Sequence, residues 1–319
     1  MAGYSHLSNP DPEFAPLLAL LPPDDPQATV TTIRERFSES VRLFKSRFEQ
    51  DLPKETEYKV HVHQIDVGDG VKALAKCVAP VASGGEDDTF PVLFWLHGGG
   101  PSSTHRDLGF FLGNADVDDY RMRILSVQLR ISIVNFEYRL APENPFPAAV
   151  NDAFIALKYV ASHAEEFSAS LSKGFIVAGA SSGGNLAAVL SHLARDDPFF
   201  KEIPLAGQAL LFPLLVHKDA YPEKYRSSLL SLEQNKDAPI LSKAGVEMIL
   251  LRGTEIWIPM PGLYNAPPAD TRMSPLLLSS HRDLPPAFIQ VAGMDPLRDE
   301  GLLYEKLLKE AGVATKLEV

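Results

Sequence analysis

Thiols are almost absent from this 319-residue chain: Cys77 is its one cysteine, so no intrachain disulfide can form. None is needed, because a core of this size buries roughly three quarters of the extended-chain surface. Long apolar runs are missing too. No stretch reaches the roughly 18 apolar residues that a membrane span requires. The nearest N-terminal candidate, Phe14 to Pro23, is broken by Pro16, Pro22 and Pro23. Asp11 and Glu13 precede it where a leader would carry Lys or Arg, so an intracellular, cytosolic protein is expected. Positive charge is in deficit, with 30 Lys and Arg against 41 Asp and Glu and a net charge of −11. Such a surface repels phosphate backbones and offers no basic face to an anionic membrane, which argues against nucleic acid as a partner. Internal repeats and low-complexity runs are also lacking. What remains, 45% hydrophobic and 22% charged, is an ordinary globular mix.

The hydrophobic pattern changes character along the chain. Ile33, Phe37, Val41, Phe44, Phe48 and Leu52 recur every three or four residues, which predicts a helix over Val30 to Leu52. Tyr58–Val67 and Val71–Val78 flank Gly68-Asp69-Gly70 and predict a hairpin. From Pro91 onward come short, wholly apolar runs: Val92–Leu96, Ile131–Phe136, Phe175–Ala178, Ala209–Leu215 and Ala287–Val291. Such runs read as strands buried on both faces. Helical patterns between them predict an α/β fold, a mostly parallel sheet with helices on both faces. About seventy residues separate the last two runs. They carry Tyr221, Tyr225, Leu229, Leu232, Met248, Trp257 and Met260, so an inserted helical element is expected rather than a bare loop.

Three segments carry chemistry. Gly179-Ala180-Ser181-Ser182-Gly183 matches G-x-S-x-G, a pattern that chance supplies in roughly one chain in ten of this length. Context sharpens it. A buried strand enters the motif, and a helix with Leu186, Val189, Leu190 and Leu193 on one face leaves it. That is the layout of a nucleophile elbow with Ser181 at its tip, and side chains at Gly179 or Gly183 would clash with the neighbouring helix and strand. The competing reading is a glycine-rich turn without chemistry. His97-Gly98-Gly99-Gly100 follows another buried strand, and its glycines let backbone N–H groups approach a ligand. The amides of Gly99, Gly100 and Ser182 are therefore assigned to an oxyanion hole. His97 reads as structural. Asp295 follows the run at Ala287 and is placed to orient a histidine. Asp299 reads as a helix N-terminal stabiliser, and Cys77 as a small buried hydrophobe.

Five motifs stand in order: His97–Gly100; Tyr138-Arg139-Leu140-Ala141-Pro142-Glu143 with Phe146-Pro147-Ala148; Gly179–Gly184; Ser274-Pro275-Leu276; and Asp295–Gly301. Together they resemble the hormone-sensitive-lipase-like family of α/β-hydrolases over about residues 90 to 319. The resemblance implies the α/β-hydrolase fold, esterase chemistry without metal or organic cofactor, Ser181 as nucleophile and Asp295 as acid. It makes residues 1–52 a helical cap segment and 53–319 the catalytic domain, with a cap insertion at about 217–262. Tyr138 to Pro147 and Asp152 resemble the structural loop beside the site. A homodimer through an edge strand is a family expectation. Ala180, Ser182 and Pro101 depart from the usual Asp, Ala and aromatic residue.

One absence stands out. None of the nine histidines follows Asp295, although the chain order of such triads is Ser, Asp, His. The family histidine comes about thirty residues past the acid, and this sequence runs on for twenty-four. The expectation is a sequence that stops short of its base, with genuine loss of the base as the alternative. His281 and His217 are local substitutes whose bland reading is packing. The expected function is a serine carboxylester hydrolase acting on a small or medium hydrophobic ester. A ligand-binding protein or receptor without a base is the alternative.

Overall fold

The structure is a computed structural model and describes residues 4–13, 16, 30–84, 87–99, 109–250 and 264–319. Its elements run in the predicted order. Helix α1 (Val30–Arg47) precedes a hairpin of β1 (Tyr58–Asp66) and β2 (Lys72–Pro80). Then come β3 (Val92–Leu96), α2 (Asp119–Leu129), β4 (Ser132–Glu137), α3 (Ala148–Ser162), β5 (Phe175–Ala180), α4 (Ser182–Asp196) and β6 (Gly207–Leu211). After the insertion, which holds α5 (Ser231–Gln234) and α6 (Lys243–Leu250), follow β7 (Ala287–Gln290), α7 (Arg298–Glu310) and β8 (Thr315–Glu318). No described helix is long and apolar enough to cross a membrane.

The strands form one sheet in the order β1-β2-β4-β3-β5-β6-β7-β8, antiparallel at the hairpin end and parallel from β4 to β8. The chain steps one way from β3 to β4 and the other way to β5, so the order reverses beside β3. A crevice at the C-terminal ends of the strands is the place for a ligand in such a sheet. Register fixes what meets there. Leu96 pairs with Gly179, so the glycine segment after β3 and the serine turn after β5 leave the sheet side by side.

Burial explains the apolar runs. Val92, Phe94 and Leu96 of β3 and Val177 of β5 are fully buried in the larger core, with Leu186, Ala187 and Leu190 of α4 packed over them. The opposite face of the sheet has its own cluster of Tyr58, Val78, Trp95, Met122 and Ile133 beneath α2. Cys77 lies in the larger cluster, its thiol pushed up to about 11 by burial.

Helix α1 ends earlier than its stripe predicts, giving way to a short 3-10 turn at Glu49–Asp51. Its Ile33 and Phe37 are buried. Arg34 pins it down: the guanidinium forms a bidentate pair with Glu143 (2.6 and 2.9 Å) and donates to the carbonyls of Phe111 and Ala141. Strand β6 also stops early, at Leu211 rather than Leu215. Phe212 takes φ +40° and donates its N–H to Gln290, which turns the chain out of the sheet ahead of Pro213. Within the insertion, Leu229, Leu232, Leu241, Val246 and Ile249 join the main core. Trp257 and Met260 lie outside the described residues.

Candidate active site

Ser181 stands at the turn between β5 and α4 with φ 53° and ψ −115°. A serine adopts such angles only where its surroundings force it. The forcing groups are identifiable. An ideal β-carbon on Gly179 would lie 2.3 Å from the Gly183 carbonyl oxygen, and one on Gly183 would lie 2.0 Å from that of Leu96. Only glycines let strand and helix approach this closely. The Ser181 N–H donates to Leu211 (2.8 Å), and its carbonyl accepts from Asn185 as α4 begins. The side chain is half-buried rather than lost in packing. Ser182 opens α4, so its amide is among the N–H groups that a helix leaves without intrahelical partners.

The glycine segment runs against this turn. A β-carbon on Gly98 would meet the Ala180 carbonyl oxygen at 2.6 Å and the Ser181 β-carbon at 3.3 Å. Gly99 is buried beside it; Gly100, Pro101 and His105 lie outside the described residues. His97 is wholly buried, stacked on Tyr138 with ring centroids 4.4 Å apart, and its Nδ1 lies 3.2 Å from the Gly98 carbonyl oxygen. Burial pulls its pKa down to about 4, which leaves a neutral, structural ring. Tyr138 Oη donates to the His97 carbonyl (2.7 Å), and Asp152 grips Arg139 at 2.6 Å, so the loop after β4 braces the segment from behind.

Asp295 follows β7. Its Oδ1 accepts from the Leu297 amide at 2.7 Å, and the carboxyl is pushed up to about 6, chiefly by burial. Part of the side chain stays exposed, although protein crowds it closely. Two residues hold the loop. Asn235 donates to the carbonyls of Gly293 and Asp295, and Arg298 donates to that of Gly293. Arg298 also reaches Ser8, Gln234 and Asp299. Asp299 does more than its helix position suggests: its Oδ2 accepts from the amides of Leu230 and Ser231 and thereby caps α5.

Ser181, Gly98 and Asp295 line one cavity of about 700 Å³. Phe37, Val41, Val117, Phe212, Pro239 and Ile240 make it largely apolar, with Asn9, Asp11, Asp118, Tyr120 and Arg121 as polar members. No described histidine lines it. His217 is buried, with Nε2 3.2 Å from the Leu250 carbonyl oxygen, while His281 packs edge-on against His192. Both are packing residues. Sequence reasoning passed over the segment at Leu7–Asp11, which carries no periodic signal yet seats its Leu7 carbonyl where a side chain on Gly293 would be. It passed over Asp118 as well. The available signal was Trp95 on a buried strand, whose N–H needs an acceptor.

A family model described as the alpha/beta hydrolase fold matches residues 93–319. Esterase LipI of Mycobacterium tuberculosis is 39% identical over 71% of this chain and 62% of its own length. The carboxylesterase NlhH of the same organism is 37% identical over 72% and 64%. An AB hydrolase superfamily protein of Schizosaccharomyces pombe is 38% identical over 63% and 56%. The match thus spans less than two thirds of the length of these curated relatives. Among solved structures, vibralactone cyclase superimposes with a TM-score of 0.87 at 39% identity, covering 98% of this chain and 85% of that one. An esterase of Pyrobaculum calidifontis gives 0.75 at 29% identity, covering 97% and 88%.

Proposed function

The chain belongs to the α/β-hydrolase family, and from that premise we propose that it is a serine carboxylester hydrolase working through an acyl-enzyme on Ser181. The observation that carries the reading is the cavity shared by the strained Ser181, the Gly98 backbone and Asp295. In the proposed reaction Ser181 Oγ attacks the ester carbonyl carbon while a histidine removes its proton. The amides of Gly99, Gly100 and Ser182 hold the oxyanion, each such donor being worth roughly 10²–10³ in rate. Collapse expels the alcohol, which takes the proton from the imidazolium. Water then attacks the acyl-enzyme and regenerates the serine. Asp295 orients the histidine and stabilises its charged form. No described histidine lines the cavity, and the Ser, Asp, His chain order leads the proposal to assign the base to a histidine that follows Asp295 outside these 319 residues.

The substrate class is a small or medium ester or lactone with an apolar body, matched to the apolar wall under α1 and the insertion, which together act as the cap. The mechanism calls on no metal or cofactor. A cytosolic homodimer is part of the same reading.

The test uses the full-length protein. It should hydrolyse p-nitrophenyl butyrate and take up one fluorophosphonate on the peptide containing Ser181. The 319-residue chain alone should turn over this ester very poorly. Undiminished hydrolysis by Ser181→Ala would overturn the assignment.

A further inference from the structure

We propose that Asp118 selects the substrate: its carboxyl, on the wall of the Ser181 cavity, accepts a hydrogen bond from a hydroxyl that the ester carries away from its scissile bond. This rests on the hydrolase reading above and narrows its substrate class.

Asp118 sits at the N-cap of α2, where an aspartate ordinarily bonds a helix amide. Here its side chain makes no such bond. It turns instead to Trp95, whose Nε1 donates to Oδ2 at 2.9 Å. The other oxygen, Oδ1, has the Arg121 guanidinium 3.8 Å away, beyond hydrogen-bonding distance, and so keeps acceptor capacity. The residue is only 9% exposed and lines the cavity. Its neighbour Asp119 shows the contrast: that carboxylate is taken up by Lys76 at 2.7 Å and Arg123 at 2.8 Å and is not among the cavity residues.

A carboxyl so placed among apolar walls loses hydration when an ester fills the cavity. Burial already raises its pKa. A substrate hydroxyl restores the lost hydrogen bond, whereas a purely aliphatic ester leaves an acceptor stranded. The site therefore discriminates chiefly against the analogue lacking the hydroxyl. Trp95 holds Oδ2 in place, so the direction of the free oxygen is preset.

The test is binding to full-length protein carrying Ser181→Ala, by calorimetry, with two ester series. One comprises ethyl 5-hydroxyhexanoate, ethyl 5-oxohexanoate and ethyl hexanoate; the other ethyl 3-hydroxybutyrate, ethyl acetoacetate and ethyl butyrate. In at least one series the hydroxy ester should bind roughly tenfold tighter than its parent, the scale of one hydrogen bond to a charged group. Asp118→Leu should equalise the pair. Asp118→Asn guards against a misfolded leucine variant. The Trp95 N–H claims the amide oxygen and leaves the NH₂ facing the cavity, so the keto ester should now gain over its parent. Binding within twofold across both series, a hydroxyl preference that survives Asp118→Leu, or a keto ester that gains nothing in Asp118→Asn, overturns the proposal. The binding readout does not depend on turnover, so failure of the acyl-enzyme reading registers separately, as absent fluorophosphonate uptake at Ser181.

Discussion

The Leu96 carbonyl oxygen occupies the space that a side chain on Gly183 would need, 2.0 Å from an ideal β-carbon there. The obstacle is backbone of a fully buried residue, and the His97 carbonyl oxygen closes the same space at 2.6 Å. Gly183→Ala must push α4 away from β3. It should cost about 2–3 kcal/mol or more in thermal unfolding and abolish fluorophosphonate uptake at Ser181. Gly207→Ala is the control, since its β-carbon would meet nothing closer than 3.6 Å. Equal losses in the two variants would refute this account of the turn.

Ser181 carries backbone strain that a glycine would relieve. Ser181→Gly and Ser181→Ala should both be inactive, but the glycine variant should be the more stable by about 1 kcal/mol, after its greater unfolded-state entropy is allowed for. Chemical denaturation of the pair measures the difference. A more stable alanine variant would mean that the angles at 181 are not strained.

Asp295 makes stability depend on pH in the less common direction for a carboxylate. Its pKa rises from 3.8 unfolded to about 6 folded, so between those values the folded chain holds the extra proton. Folding stability therefore falls as pH climbs through that window and stays lower above it. Asp295→Asn removes the penalty while keeping an oxygen for the Leu297 amide. The variant of the 319-residue chain should match the parent near pH 4 and exceed it by on the order of 2 kcal/mol at pH 7.5, as read by urea titration at both values. An imidazolium set against this carboxyl would reverse the shift.

Arg298 joins three parts of the molecule, through Ser8 of the N-terminal segment, Gln234 of the insertion and Gly293 of the loop that bears Asp295. Replacing it with leucine strands the buried Asp299 and should cost roughly 3–5 kcal/mol. Ser8→Ala, which removes one bond, should cost about 1 kcal/mol. Were Arg298→Leu as mild as Ser8→Ala, the junction would not hold the Asp295 loop.

The sheet was legible in the sequence because strands buried on both faces leave continuous apolar runs, as Val92–Leu96 does, and because Gly179 and Gly183 mark a turn that tolerates nothing larger. Position along the chain was harder to read where one residue broke a pattern. Phe212 ends β6 by its own dihedral angles, and Leu214, Leu215 and Val216 beyond it are buried all the same. The N-terminal part of the cavity wall was invisible for another reason. Leu7, Asn9 and Asp11 line it from a segment that carries no strand or amphipathic-helix periodicity. Asp118 and Asp299 look like solvated charge in the sequence, yet each is buried and bonded to a partner far along the chain, Trp95 in one case and Leu230 with Ser231 in the other.

Burial of Cys77 has a practical consequence. The chain's sole thiol is sealed inside the sheet and held protonated at neutral pH, so maleimide and iodoacetamide reagents find no native target while the fold is intact. A reporter cysteine introduced at Ile240, 40% exposed on the cavity wall, would therefore carry a fluorophore free of background. Ligand entry into the cavity beside Ser181 could then be followed in real time.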